Sequence, residues 1–360
     1  MGIDAQYGEL VSKGWPDRRL LDLFGIEAPI VQAPMAGAQD AVLAIAASKG
    51  GGLGSIPCAL LSPEATRHQI AQFRAATSGP LNLNFFCHVT PGAWDDSAWR
   101  AALAPYYAEY QVGYPASPPP LRKPFDEAMC ALVEEARPEI VSFHFGLPEE
   151  RLLQRVRDAG ALILGCATTP AEARWLAERE VDSIIAQGWE AGGHAGRFLP
   201  ADPSSHMGTF ALVPQVADAV PMPVIAAGGI ADARGVAAAL ILGASAVQLG
   251  TSYLSSPESR ISDVHRARLA TVDAETTVST NVFTGRFARG METRLTRERG
   301  PASPIVPPFP HGGDALAELR KADPAAFANM WAGQAARLVR PEGAEALTRR
   351  LAAEALELLR

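Results

Sequence analysis

Eight short apolar segments recur between residues 29 and 251 and are separated by stretches with helical character. Each segment is almost continuously hydrophobic, which is typical of strands that are buried on both faces of a parallel sheet. The segments are residues 29–35, 52–57, 80–88, 140–146, 161–168, 182–188, 223–229 and 245–251. Because strands that alternate with helices form βα units, the pattern predicts an α/β fold with a parallel sheet.

The stretches between the strands carry helix start signals. Ser62-Pro63 and Thr169-Pro170 each place a capping residue before a proline at the first helical position. Glu172 follows Thr169 at the spacing of a capping box. Eight βα units in roughly 220 residues fit a (β/α)8 TIM barrel. An open doubly wound sheet is disfavoured because the first strand is not followed by G-x-G-x-x-G.

Long connections and the C-terminal region depart from the simple βα repeat. The insertion after the third strand, residues 89–139, is rich in Tyr and Pro and contains a predicted helix near 125–137. The connection after the sixth strand, residues 189–222, is also long, and barrels build their sites from such loops. We therefore expect a barrel over residues 18–260 and a helical extension over residues 261–360 that packs on it without forming an independent domain.

Composition excludes several classes of protein. The net charge is −7 and no long basic run is present, which argues against nucleic acid or a membrane surface as a partner. The four cysteines (Cys58, Cys87, Cys130, Cys166) form no C-x-x-C and predict free thiols in a reducing compartment. Residues 1–15 lack a signal-peptide core, so a cytoplasmic location is expected. A homo-oligomer is compatible with the sequence.

On a barrel, the polar and glycine residues at the carboxyl ends of the strands are the most informative about function. These residues are Gln32 to Gly37, Asn84, His144, Gln187, Gly228, Gly229, Gln248, Gly250 and Thr251. The groups after the seventh and eighth strands occupy the usual phosphate position of a barrel, where small residues let backbone N–H groups approach an anion. The alternative is that these glycines only permit tight turns.

Two histidines are candidates for chemistry. His194 lies in the glycine-rich loop GWEAGGHAGRF, residues 188–198, where a ligand can approach the backbone closely. Because its ordinary pKa lies near neutrality, it is suited to act as a base or an acid. The alternative is that it is only a turn residue. His144, between two phenylalanines, either faces the barrel mouth or is a core residue. The amides of Asn84 and Gln187 suit the edge of a heterocycle, or bond to neighbouring backbone.

Five segments in this order resemble the nitronate monooxygenases, formerly called 2-nitropropane dioxygenases. The segments are QAPMAG (32–37), NLNFF (82–86), QGWEAGGHAG (187–196), AAGGI (226–230) and QLGT (248–251). MWAGQAARL (330–338) resembles a further stretch that lies near the flavin in that family. The resemblance covers roughly residues 20–340 and implies FMN on a TIM barrel, with no metal.

The resemblance also implies roles for individual residues. The flavin contacts of the family correspond to Ala33, Pro34, Met35, Asn84, Gln187, Gly192, Gly193, Gly228, Gly229, Gln248, Gly250, Thr251, Gly333 and Gln334. Asn82 is a rival of Asn84 for the asparagine. The catalytic histidine corresponds to His194, and a second histidine of the pocket corresponds to His144.

The implied reaction begins when a nitronate, or a nitroalkane deprotonated by His194, passes an electron to FMN. Oxygen then completes the conversion to a carbonyl compound and nitrite. The chain departs from a Tyr-x3-Tyr-x3-Lys pattern of the best-studied bacterial class, because Phe309, Gly313 and Ala317 occupy those places. This departure leaves the nitronate substrate open. Similar barrels include enoyl-acyl-carrier-protein reductases and NADH:quinone reductases, so an oxidoreductase that uses NAD(P)H is the alternative.

Overall fold

The computed structural model describes residues 14–115, 122–200 and 202–360. Most of the N-terminal segment for which a signal peptide was considered lies outside these residues, as do residues 116–121 of the insertion. The strands, in chain order, are β1 Ile30–Gln32, β2 Gly54–Pro57, β3 Leu81–Phe86, β4 Ile140–His144, β5 Leu162–Ala167, β6 Ser183–Gln187, β7 Gly193–His194, β8 Val224–Ala227, β9 Ala246–Leu249, β10 Thr277–Thr280 and β11 Ala288–Met291.

Eight of these strands form one parallel sheet, and they coincide with the eight predicted segments. Their neighbours follow the order β1-β9-β8-β6-β5-β4-β3-β2. The backbone of Leu53, just before β2, closes the sheet onto β1, since its N–H donates to the carbonyl of Ile30 and its carbonyl accepts from Gln32, both at 2.9 Å. The predicted (β/α)8 TIM barrel is confirmed, and the open-sheet alternative is wrong.

Helices surround the barrel and extend beyond it. The α-helices of the described residues are α1 Arg19–Phe24, α2 Ala41–Lys49, α3 Pro63–Ala76, α4 Ser97–Tyr110, α5 Glu127–Ala136, α6 Glu150–Asp158, α7 Pro170–Ala177, α8 Thr209–Ala219, α9 Ala233–Ile241, α10 Thr251–Leu254, α11 Asp263–Leu269, α12 Arg294–Arg299, α13 Ala317–Ala322, α14 Pro324–Phe327 and α15 Ala344–Leu358. Short 3-10 turns cover Pro203–Ser205, Val272–Glu275, His311–Leu316 and Ala336–Leu338.

The helix caps agree with the sequence except at one carboxylate. Ser62 accepts from the N–H of Ala65, and Thr169 accepts from the N–H of Glu172 at 3.1 Å. The carboxylate of Glu172 does not complete a capping box with Thr169. It accepts instead from the backbone N–H of Thr168 and, across the chain, from those of Phe198 and Leu199. Buried Glu172 therefore ties the segment after His194 to the end of β5.

The insertion after β3 packs on the C-terminal region and forms a second apolar cluster beside the barrel core. It contains the expected helix α5 and also α4, which the sequence did not predict. Both α4 and the C-terminal region contribute side chains to this cluster. They include Trp99, Leu103 and Tyr106 from α4, and Phe283, Leu316 and Phe327 from the C-terminal region. Two segments that are distant in sequence therefore support each other next to the barrel.

The C-terminal region reaches the barrel at two places. The antiparallel pair β10–β11 continues into β7, where Ala288 pairs with His194. At the other place α15 packs against α2 and α9, and Leu347 and Leu351 join the barrel core. The division of the chain at residue 260 stays a prediction. Among the described residues, no helix combines the length and apolarity needed to cross a membrane.

Candidate active site

A cavity of about 480 Å³ lies at the carboxyl ends of the barrel strands. This volume lies within the range of about 300–1,000 Å³ that is usual for small-molecule sites. The predicted site residues that line it are Ala33, Pro34, Met35, Asn84, His144, Gln187, Gly192, Gly193, His194, Gly228, Gly229, Gln248, Gly250, Thr251 and Gly333. Gln334 is not in the lining, and its backbone N–H donates to the carbonyl of Glu190 at 2.9 Å.

The strand β3 places one of the two rival asparagines at the cavity. Asn82 and Asn84 share a face of the strand, because residues two apart point to the same side. Asn84, nearer the carboxyl end, lines the cavity and donates to the hydroxyl of Ser142 at 3.0 Å. Asn82 lies deeper, is fully buried, and donates to the hydroxyl of Ser55 at 2.9 Å. The geometry therefore favours Asn84 as the ligand-facing asparagine.

Gln187, at the end of β6, uses its amide to shape the glycine-rich loop. Its Nε2 donates to the carbonyl of His194 at 3.0 Å, and its Oε1 accepts from the N–H of Gly196 at 2.6 Å. A Cβ at Gly196 would lie 2.5 Å from Sγ of Cys166 and 2.9 Å from Cε1 of His144. The loop can therefore approach the barrel this closely only because residue 196 has no side chain.

The imidazole of His194 is held by a hydroxyl from the C-terminal region. Its Nε2 lies 3.0 Å from Oγ1 of Thr284, and that oxygen lies 3.1 Å from the carbonyl of Arg286. Since a carbonyl can only accept, the Thr284 hydroxyl donates to Arg286 and its oxygen accepts from Nε2–H of His194. This network assigns the proton of the neutral imidazole to Nε2. Nδ1 keeps a lone pair and has no hydrogen-bond partner among the described residues.

The surroundings of His194 disfavour a charged imidazole. Burial holds the pKa of His194 well below its usual value. Electrostatic interactions lower this pKa further, and they come, largest first, from Arg122, His144, Arg286 and His88. The pKa of His144 is lowered to about 4, mainly by burial and then by Arg286. Its Nε2 lies 3.2 Å from the carbonyl of His194 and donates to it. Both histidines are therefore neutral near pH 7, and Nδ1 of His194 is able to accept a proton.

Four aromatic side chains surround the imidazole of His194. The ring centroids of Phe86, Phe145, Phe309 and Trp331 lie 6.4, 6.0, 5.2 and 5.4 Å from that of His194. All four rings are inclined steeply to the imidazole, at interplanar angles of 62° to 83°. Such a wall limits the access of water to the imidazole and accounts for the strong effect of burial on its pKa.

Comparison with known proteins agrees with this geometry. A family model described as nitronate monooxygenase matches residues 17–354. The chain belongs to the nitronate monooxygenase family. A nitronate monooxygenase from Paraburkholderia phytofirmans is 41% identical over 347 residues, which cover 94% of each chain. Membership of this family makes the protein an oxidoreductase.

Solved structures with the same fold include one with clear sequence similarity. A nitroalkane oxidase from Streptomyces ansochromogenes has a TM-score of 0.86 and 37% identity, covering 94% of this chain and 98% of that one. FabK from Thermotoga maritima is more distant, with a TM-score of 0.70 and 26% identity over 95% and 96% of the two chains. These structures support both the barrel and the family assignment.

Sequence reasoning missed several residues that surround His194 in this family member. Thr284 comes from the C-terminal region and lies in no pattern that signals proximity to a strand end. Trp331 lies in the segment 330–338, which the resemblance placed near the flavin, but its contact with His194 was not predicted. Phe309 was noted only as a departure from the family pattern. Arg122 lines the cavity from the insertion. In the sequence it stands next to a second basic residue, Lys123, after a Pro-rich stretch, so no signal distinguished it as a cavity residue.

Proposed function

We propose that the protein uses FMN and O2 to oxidise alkyl nitronates, and nitroalkanes after their deprotonation, to carbonyl compounds and nitrite. The observation that carries this proposal is Nδ1 of His194, which is neutral, free of partners among the described residues, and located on a cavity wall. Membership of the nitronate monooxygenase family supports nitronate oxidation in general. The specific products, the cofactor and the oxidant belong to the proposal.

The residues of the cavity fit a flavin. Oε1 of Gln248 is buried without a hydrogen-bond partner among the described residues, and the side chain lines the cavity. A Cβ added at Gly250 would meet nothing closer than Cβ of Ala33, 3.6 Å away, so the glycine leaves space that a ligand can fill. Asn84 and Gln248 offer amides to the edge of a heterocycle. FMN bound here would supply the electron transfer between substrate and oxygen.

His194 would remove the α-proton of a neutral nitroalkane at Nδ1. The hydrogen bond from Nε2 to Thr284 keeps Nδ1 unprotonated and fixes the plane of the ring. The cationic side chains Arg122 and Arg286 lower the pKa of His194 and so weaken it as a base. The same charges stabilise the anion that the substrate becomes when it loses the proton, which offsets that weakening.

The anaerobic visible spectrum of the purified protein tests the function. We expect propyl nitronate alone to bleach the flavin absorbance, and NADH or NADPH to leave it unchanged. Bleaching by the nicotinamides and not by the nitronate would instead establish the reductase alternative. A cytoplasmic location and a homo-oligomer stay predictions of the sequence.

The substitution His194→Asn tests the base. The variant is expected to retain flavin and activity on a preformed nitronate, but to lose activity on the neutral nitroalkane by about 10²- to 10⁴-fold, the usual contribution of a general base. His68→Asn, at an exposed position that is absent from the cavity lining, is the matched control. Full activity of His194→Asn on a neutral nitroalkane would show that His194 is not the base.

A further inference from the structure

Arg122 is a cation on the cavity wall whose guanidinium forms no hydrogen bond with the described residues. The guanidinium carbon lies 5.8 Å from the centroid of the Phe309 ring. Burial lowers the pKa of Arg122, an effect that the carboxylate of Asp314 opposes. An arginine nevertheless stays charged at neutral pH. The cavity therefore contains a positive charge with five N–H donors available to a ligand.

A hydrogen bond from His88 holds the backbone of Arg122 in place. Nε2 of His88, just after β3, lies 3.1 Å from the carbonyl of Arg122 and donates to it. Arg122 also has the largest effect of any single charge on the pKa of His194. Both residues line the same cavity, so a substrate that presents its α-carbon to His194 lies within the field of Arg122.

The neighbouring arginines are already engaged by the protein. Arg286 donates to the carbonyl of Arg197 and lies over the ring of Phe145, 3.9 Å from its centroid. Arg320 donates to the carbonyl of Phe283 at 2.9 Å. Neither side chain belongs to the cavity lining. Of these three arginines, Arg122 is the one that both faces the cavity and keeps its donors free.

The departure from the Tyr-x3-Tyr-x3-Lys pattern points to the same residue. A Cβ at Gly313 would lie 2.8 Å from the carbonyl of Phe283 and 3.1 Å from Nη2 of Arg320, so a tyrosine does not fit there without a shift. Phe309 and Ala317, at the other two places, carry no polar group. These three places therefore offer no polar side chain to a substrate, whereas Arg122 lines the cavity and lies over the Phe309 ring.

We propose that Arg122 binds the planar two-oxygen anionic group of the substrate, while Nδ1 of His194 faces the carbon that loses a proton. A guanidinium fork matches two coplanar oxygens through paired charge-assisted hydrogen bonds. Both a nitronate group and a carboxylate elsewhere on the substrate have this chemistry. The assignment rests on the proposed function and names the group that confers substrate preference within it.

The test compares Arg122→Met and Arg122→Lys with Lys123→Met in the flavin-loaded enzyme. Lys123 is exposed and absent from the cavity lining, so its substitution removes the same charge from the same segment without affecting the site. Arg122→Met is expected to raise KM for the anionic substrate by about 10- to 100-fold, as the loss of a charge-assisted contact implies. Arg122→Lys should recover part of this loss, and Lys123→Met should match the wild type.

Two nitronates distinguish the sources of the anion. A rise in KM for propyl nitronate, which has a neutral tail, assigns Arg122 to the nitronate group. A rise confined to a nitronate with a terminal carboxylate assigns it to that carboxylate. Unchanged KM for both substrates overturns the proposal, provided that circular dichroism shows Arg122→Met to be folded.

An activity-independent measurement separates this proposal from the proposed function. Acetate and nitrite are planar two-oxygen anions whose binding is measured by titrating the absorbance of the flavin-loaded protein. If the wild type oxidises no nitronate but Arg122→Met still weakens acetate or nitrite binding by about tenfold or more, the proposed function fails and the role of Arg122 stands. Anion affinity that is the same in wild type and Arg122→Met overturns that role.

Discussion

Replacing Thr284 by valine removes the hydroxyl that orients the imidazole of His194, the proposed base, and changes the side-chain shape very little. Thr284 is only 2% exposed, and its oxygen links Nε2–H of His194 to the carbonyl of Arg286. In the variant, Nε2–H and this carbonyl both lose their partner. The imidazole is then free to rotate or to move its proton to Nδ1, where it would block the lone pair needed for deprotonation.

The magnitude follows from the two hydrogen bonds that are lost. Each contributes about 0.5–1.5 kcal/mol net, so Thr284→Val raises the barrier to proton abstraction by about 1–3 kcal/mol. This corresponds to about a 5- to 150-fold lower kcat/KM for a neutral nitroalkane. A preformed nitronate does not need the base, so its kcat/KM should stay within about twofold of the wild type.

Steady-state kinetics with nitroethane and with ethyl nitronate check this prediction. Thr284→Ser is the matched control, because it keeps the hydroxyl and loses only the methyl group. A larger isotope effect with α-deuterated nitroethane in Thr284→Val would show that the proton-transfer step is the one affected. The reasoning is refuted if both substrates slow equally, or if Thr284→Ser loses as much activity on nitroethane as Thr284→Val.

Two further predictions concern the glycine-rich loop and the buried histidines. Gly196→Ala places a Cβ 2.5 Å from Sγ of Cys166, so the loop must shift. We expect at least about tenfold lower activity on both substrate forms and about 1–3 kcal/mol lower stability, whereas Gly92→Ala, which meets no atom within 4 Å, should behave as wild type. Burial lowers the pKa values of His88 and His144 to about 4, so the unfolded chain, with ordinary histidines, binds more protons below about pH 6.5. The free energy of unfolding should therefore reach its full value, as far as these two histidines are concerned, above that pH and should decline toward pH 4. Equal urea midpoints at pH 7 and pH 5 would contradict this.

The barrel was predictable because the sequence of each strand by itself indicates that the strand is buried. A strand covered on both faces needs apolar residues at nearly every position, and the eight such segments all became strands of the closed sheet. The insertion was harder to predict. Helix α4 has Pro105 in its interior and takes its stability from Trp99, Leu103 and Tyr106 packing on the C-terminal region. Tertiary packing therefore overrides a poor local helix signal.

The candidate site was predictable where it belongs to the strand ends. The polar residues Asn84, His144, Gln187 and Gln248 lie at or near the carboxyl ends of apolar strands, and the parallel arrangement brings them to one end of the barrel. The Glu172 carboxylate shows the limit of such local reasoning. It has the spacing of a capping box, yet it binds the backbone of Phe198 because the fold brings that loop to it.

The sequence by itself therefore determined the barrel, the position of the cavity and the family, since these depend on periodicity and on motifs within single segments. Only the tertiary structure decided how His194 is protonated and what surrounds it. Thr284 is 90 residues away from His194 along the chain, and Arg122 reaches the cavity from a different connection. Hydrophobic periodicity reports which face of an element is buried, but it carries no information about which distant side chain meets that face.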